Sequence, residues 1–189
     1  MANYYFIPDI FKDVVAKVST ALTTPVGLVP AILTTPVYFN YGHYADVLKD
    51  LKAKDGGITT QDKKYPLIWL VMDYVEKKGI DLGLQAQIPN LTILIVTPTT
   101  PTDNIADKMV KNFVPILYPI YQELLTQISK EVRLKNSIVS QINHEKIDRP
   151  YWGLNSGING SNGEANLFND FIDAIEIRNL DISVKRKIC

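Results

Sequence analysis

The chain has 189 residues, of which 46% are hydrophobic and 21% charged, and its 20 basic side chains balance 20 acidic ones. That length supports one domain with a real core, and zero formal charge removes any bulk field that would draw in nucleic acid or an anionic membrane. The one cysteine, Cys189, excludes an internal disulfide and a thiolate metal cluster.

The opening MANYYFIPDIFKDVV has no basic stretch followed by an apolar run, so no secretory leader is expected and synthesis is expected to leave the protein soluble in the cytoplasm. Ile10, Phe11, Val14, Val15, Val18 and Leu22 recur at spacings of three and four. They predict a helix over residues 8–22 with one apolar face, and Pro8 and Asp9 suit its first turn. TTPVGLVPAILTTPVYFN follows, with three prolines and two Thr-Thr pairs. It reads as an extended arm, Thr23 to Pro36, leading into a strand near Val37 to Tyr41.

YADVLKDLKAKDGG predicts a short helix with Ala45, Leu48 and Leu51 on one side, ended by Gly56 and Gly57. ITTQDKK reads as a polar loop. YPLIWLVMDYV is nearly continuous in apolar residues, as for a strand covered on both faces. Asp73 and Glu76 read as solvent-facing residues at its exit. KKGIDLGLQAQIPN reads as a turn or excursion, and LTILIVTP as a second buried strand. A helix is expected from Asn104 to Lys130, capped by Asp103. Pro115 and Pro119 each remove a backbone donor there, which predicts a kink or break and a better helix from Pro119 onward. The longest apolar runs, YPLIWLVM and LTILIV, are too short for a bilayer, which needs roughly 20 residues.

From Gln141 to Ala165 no period holds, and NSGINGSNGEAN reads as a mobile loop. In the last segment Ile175 and Ile177 share one parity, while Leu180, Ile182 and Val184 share the other. This change of phase predicts a bulge or bend near Asn179, in a long bent strand or in two strands with a tight turn. The expected whole is a single α+β domain over 1–189 with a mixed or mostly antiparallel sheet, helices packed on one face, and extended loops or arms. Its parts are an N-terminal helix and Pro/Thr-rich arm (1–36), an α/β core (37–140), a Gly/Asn-rich loop (141–170) and a C-terminal strand (171–189).

The chain has no GxxxxGK[ST], GxGxxG, HExxH or GxSxG motif. Its two histidines are far apart in sequence, and nothing in their spacing favours a metal site. His43 lies in YFNYGHY, where it could serve as a general base or, with Tyr41 and Tyr44, as a stacking platform. The simpler reading is a strand end that turns through Gly42 into a helix, since no second catalytic group can be named to partner His43. Alternation then puts Tyr38 and Phe39 on opposite faces, with Tyr41 on the side of Phe39. His144, in INHEKIDRP, reads as a solvated surface residue. The basic tip Lys185, Arg186 and Lys187 could touch DNA or an acidic neighbour; the preferred reading is an edge strand charged against aggregation.

Four segments in this order resemble a known family: YFNYGHYADVLKDL, KKYPLIWLVMDY, LTILIVTPTTPTDN with NFVPILYPIYQELLTQI, and AIEIRNLDISVK. They are similar to virion neck proteins of tailed phages of Bacteroidetes, including crAss-like phages. There, Tyr-Gly-His precedes a helix, Lys-Tyr-Pro-Leu opens a strand, and a Phe-x-Pro-Ile-Leu-Tyr-Pro-Ile-Tyr segment follows the central strand. The resemblance covers about Tyr38 to Ile128 and the last strand, and it is carried by packing motifs. It implies a tail-terminator-like fold and a structural ring in the neck, six-fold at the tail tube or twelve-fold near the portal, with no catalysis and no cofactor or metal.

The implied partners are further copies of the chain, the portal, adaptor or other neck rings, the tail tube or tail hub, and genomic DNA sliding through the lumen without sequence-specific contact. No membrane is implied. The implied location is the virion neck, reached from the host cytoplasm. Within that picture, the expected partner contacts are Thr35, Pro36, Tyr41, His43, Asn155, Gly157, Asn159, Gly160, Lys185, Arg186 and Lys187. Two other functions remain beside it: a small hydrolase using His43 with a carboxylate, and a DNA-binding module built on the basic tip.

Overall fold

Helix α1 (Ile7–Thr23) forms where the apolar stripe predicts it, and Ile7, Ile10, Phe11, Val14, Val15, Val18 and Leu22 are all buried. The structure, a computed structural model, describes residues 5–55, 64–78, 85–135, 138–150 and 171–185. After α1 come β1 (Tyr38–Gly42), α2 (Tyr44–Asp55), β2 (Leu67–Val71), β3 (Lys77–Lys78) and β4 (Gln85–Pro98). Helix α3 (Ile105–Lys108) then runs through a π-helical stretch, Met109–Leu117, into α4 (Tyr118–Lys130). A 3-10 turn (Val139–Gln141), β5 (Glu145–Arg149) and β6 (Ile172–Lys185) complete the order.

The strands form one mixed sheet in the order β1-β2-β4-β6-β5, with β3 adding to β4. β1 and β2 are parallel, and the other pairs are antiparallel. A parallel pair needs a crossover, and α2 lies within the β1–β2 connection. On one face α1, the π-helical stretch and α4 enclose the larger core, with Ile68, Leu70, Ile93, Ile95, Ile175 and Ile177 beneath them. On the other face Val47 and Leu51 of α2 cover Leu67, Trp69, Val71, Leu94, Val96, Ile172 and Ala174. The protein is therefore an α+β domain whose long helices share one face and whose short α2 closes the other. Burial on both faces explains the unbroken apolar run of β2, all five of whose residues are buried.

The phase change in β6 is resolved by two offsetting bulges. Ile88 pairs with Ile182, Leu91 with Leu180 and Ile93 with Ile177, so β4 gains a residue at Pro89–Asn90 and β6 gains one at Arg178–Asn179. Asn179 takes φ 51°, a left-handed conformation that asparagine tolerates better than most residues. The bulges put Ile175, Ile177, Leu180, Ile182 and Val184 in the same core, so the two parities of the sequence end on one face of a single long strand.

Several local expectations are corrected. QAQIPN is not an excursion: β4 begins at Gln85, and Ala86 and Ile88 are buried. Pro89 obscured that strand in the sequence, and it sits at the bulge, where a missing donor is tolerated. The cap of α3 is Asn104, not Asp103. Asn104 Oδ1 accepts the Asp107 N–H at 3.0 Å, and Asp107 Oδ2 accepts the Asn104 N–H at 3.2 Å.

Pro115 does not break the helix; the chain widens into π geometry, and the Tyr118 N–H bonds Phe113 O, five residues back. Pro119 sits in the first turn of α4, where no donor is required. Within the stretch from Gln141 that lacked a period, EKIDR forms β5, an edge strand with one apolar residue. The expected helix end at Gly56–Gly57 and most of the following polar loop lie outside the described residues.

Candidate assembly surface

Among the described residues, the main strand order ends in β5 on one side and β1 on the other, and these two outer strands differ in chemistry. β5 is polar. Its Lys146 and Asp148 pair at 2.5 Å, and Arg149 pairs with the buried Glu176 of β6. Such charge protects an edge from adventitious strand pairing.

β1 carries no charged residue. The Tyr38 N–H bonds Pro66 O at 2.9 Å and the Met72 N–H bonds Gly42 O at 3.2 Å, so the even-numbered residues turn their main chain toward β2. Val37, Phe39 and Tyr41 therefore turn theirs outward. The Val37 N–H is taken by Ser19 Oγ of α1 at 3.0 Å, and the Tyr41 N–H by Asn40 Oδ1 at 2.8 Å. Between them Phe39 faces an open groove of about 420 Å³, lined by Lys12, Val15 and Ala16 of α1 and by Val37 to Tyr41. Four consecutive residues of β1 and the preceding Val37 line it, as befits the free edge of a strand. The Phe39 and Tyr41 rings stack at 6.1 Å, and Phe6 meets Tyr41 edge-on at 6.2 Å, which extends the apolar surface past the groove.

The arm between α1 and β1 is the second feature. The Leu33 N–H bonds Leu22 O at 2.9 Å and buries Leu33, so the arm is tied at its base. Beyond that tie the chain makes a tight loop. Val26 and Val29 exchange both main-chain bonds, at 3.1 and 3.0 Å, around Gly27 at φ 61°. The loop projects its apolar side chains outward: Leu28 is 104% exposed, Val26 73%, Val29 64% and Ile32 58%. Together these side chains form an exposed, uncharged apolar patch at the tip of the loop.

Of the residues the sequence put forward, Thr35 and Pro36 are exposed at the end of this arm. Tyr41 is on the same side as Phe39, as alternation requires, and borders the groove. His43 opens α2: its carbonyl accepts the N–H groups of Asp46 and Val47 at 3.0 and 3.2 Å, while Gly42 makes the turn at φ 141°. YFNYGHY is thus a strand end passing into a helix.

Lys185 is not on an edge strand. Its N–H bonds Arg133 O at 2.9 Å and its Nζ donates to Val132 O at 2.7 Å, so the segment after α4 covers β6 there. Asn155, Gly157, Asn159, Gly160, Arg186 and Lys187 lie outside the described residues. The sequence did not single out Phe6, Lys12 or Ala16, because core-facing periodicity says nothing about the flank of a helix beside an edge strand.

Three polar clusters fasten the frame. Lys108 is wholly buried at the end of the sheet; its Nζ lies 3.5 Å from Asp173 Oδ1 and donates to Thr99 Oγ1 at 2.5 Å. Asn112 Nδ2 donates to Asp173 Oδ2 at 2.7 Å and to Pro98 O at 3.2 Å, so the π-helical stretch is pinned to β4 and β6. Glu131, buried after α4, accepts from Arg133 Nε at 2.6 Å and Lys17 Nζ at 2.9 Å. The Arg133 hydrogen bond chiefly, helped by that of Lys17, holds its carboxyl down at about 2, and Arg133 is raised in turn.

His144 is half-buried, not solvated. Its Nδ1 donates to Ile142 O at 2.8 Å, since a carbonyl only accepts, and its Nε2 shares a hydrogen bond with the Tyr121 hydroxyl at 2.7 Å. Lys146 Nζ lies 4.5 Å from the Tyr118 ring centre and 5.5 Å from that of Tyr121. Burial first and the Asp148 charge second raise the Tyr121 hydroxyl. The Nε2 bond ties the segment just before β5 to α4, and the local Nδ1 bond to Ile142 orients the ring for it. Among the described residues, no group of three or more His, Cys, Asp or Glu side chains is placed to hold a metal ion, and no helix is long and apolar enough to cross a membrane.

Fold and surface together define a small α+β domain with an open, uncharged sheet edge and a projecting apolar arm. No protein-family model, curated protein or solved structure matches the chain.

Proposed function

We propose that this chain is a structural subunit of the neck of a tailed-phage virion, a ring component that joins the capsid portal to the tail and lets DNA pass, with no turnover of its own. The observation that carries the reading is the arm: four apolar side chains, Val26, Leu28, Val29 and Ile32, are held in water by a loop tied down at its base. Such a surface costs solubility unless a partner covers it. The resemblance of Tyr41–His43, Lys64–Leu67 and Phe113–Tyr121 to segments of phage neck proteins points the same way. So does the zero net charge, because a strongly basic channel wall would grip the DNA that must slide through it. The partners proposed are further copies of the chain, the portal or an adaptor ring, and the tail tube or hub.

Electron cryomicroscopy of the virions, with antibody labelling of the chain, tests this. The expected result is ring density at the head–tail junction that accepts the fold. Label on the capsid shell or tail tip, or on no virion, overturns it.

A further inference from the structure

We infer that the arm of one copy docks into the groove beside β1 of the next copy. This rests on the ring reading above and adds the interface that closes the ring. The plug is already shaped: the Val26–Val29 exchange closes the loop's own main chain, so it offers side chains rather than a strand. Its partner must therefore present an apolar cleft.

The groove beside β1 is such a cleft. At about 420 Å³ it has room for water that an apolar tip would release. Charge agrees on both sides. The segment Thr23 to Pro36 contains no charged residue, and the groove has one, the exposed Lys12 on its α1 wall. An uncharged plug offers nothing to a phosphate backbone.

Placement makes the contact intermolecular. α1 and β1 run antiparallel: Ser19 meets Val37 near one end, and Phe6 meets Tyr41 at the other. The groove flanks Lys12 to Ala16, whereas the arm leaves beyond Thr23, about 10 Å further along the helix axis. The exposure of Leu28 and Val26 shows that the tip does not fold back into its own groove. One plug and one socket at different places on a subunit make a heterologous contact, which repeats until a ring closes.

Two single variants and their mixture test the interface. Leu28→Asp spoils the plug and Ala16→Arg fills the socket; both positions are exposed, so circular dichroism should remain that of the parent. Each variant alone should lose self-association at least tenfold by light scattering. An equimolar mixture should recover a heterodimer and nothing larger, because only one good plug and one good socket remain. In a Cys189→Ser background, Leu28→Cys paired with Ala16→Cys should cross-link between copies under oxidation.

Equal masses for parent and variants, or no cross-link between copies, overturns the inference. So does a Leu28-dependent transfer of the protein to phosphatidylcholine–phosphatidylglycerol vesicles, which would make the arm a membrane element. If the cross-link fails while ring density is present at the head–tail junction, the interface is wrong and the neck reading stands. If virions lack that density, the neck reading fails whatever the cross-link does.

Discussion

Ser19 Oγ accepts the Val37 amide at 3.0 Å, across 18 residues of chain. This bond joins the helix before the arm to the strand after it, and Leu33 to Leu22 ties the base a second time. A loop anchored twice can hold apolar side chains away from the body without collapsing onto it.

Replacing Ser19 by Ala leaves the Val37 amide without that acceptor at a partly buried position, at a cost of about 1 kcal/mol. Amide exchange at Val37 should accelerate selectively while that of Leu70 and Ile95, deep in the sheet, changes only with global stability.

The buried pair Lys108 and Asp173 should respond asymmetrically. Removing one partner, as in Asp173→Ala, takes away the carboxylate facing the buried Lys108 and should cost about 3–5 kcal/mol. Replacing both, as Lys108→Met with Asp173→Leu, should recover much of that loss in urea denaturation, although Asn112 then loses its bond to Asp173.

Glu131 sets an acid limb. Its carboxyl is held at about 2 in the folded chain against 4.5 ordinarily, chiefly by Arg133. A depressed folded value adds stability that is fully present above pH 4.5 and fades as pH falls toward 2. The contribution at neutral pH is about 3 kcal/mol. In Glu131→Gln, the urea midpoint should be lower at pH 7 and should fall less steeply than the parent's between pH 4.5 and 2.

Asn179 should be a stringent position. Asn179→Gly keeps the left-handed residue and should leave stability within about 0.5 kcal/mol, whereas Asn179→Val should cost about 2 kcal/mol, because a β-branched residue resists φ 51°. Denaturation midpoints of the two variants provide the comparison.

Much of the frame was legible because burial writes itself as period. The stripe from Ile10 to Leu22 gave α1, the unbroken LIWLV gave a doubly covered strand, and the parity change around Asn179 gave the bulge. What escaped was local polar chemistry. EKIDR has too little apolar content to declare a strand, since an edge strand with charged residues is held mainly by its main-chain ladder. Pro115 announced a break, but the packing of Phe113 and Leu117 in the core keeps the helix continuous through π geometry. The site was half legible. Prolines and threonines flagged the arm from Thr23 to Pro36, yet which side chains it leaves in water depends on the Leu22–Leu33 tie, a long-range bond without a sequence signature. The groove depends on β1 being the outermost strand, and strand order is a property of the whole sheet.

The most direct measurement is native mass spectrometry of the parent chain beside one in which Val26–Ile32 is replaced by glycine and serine at equal length. The Leu22–Leu33 and Ser19–Val37 ties remain in both. If the arm drives assembly, the parent shows multiples of the 21.3 kDa subunit and the replaced chain shows the subunit alone. The same mass distribution for both, at every concentration, contradicts it.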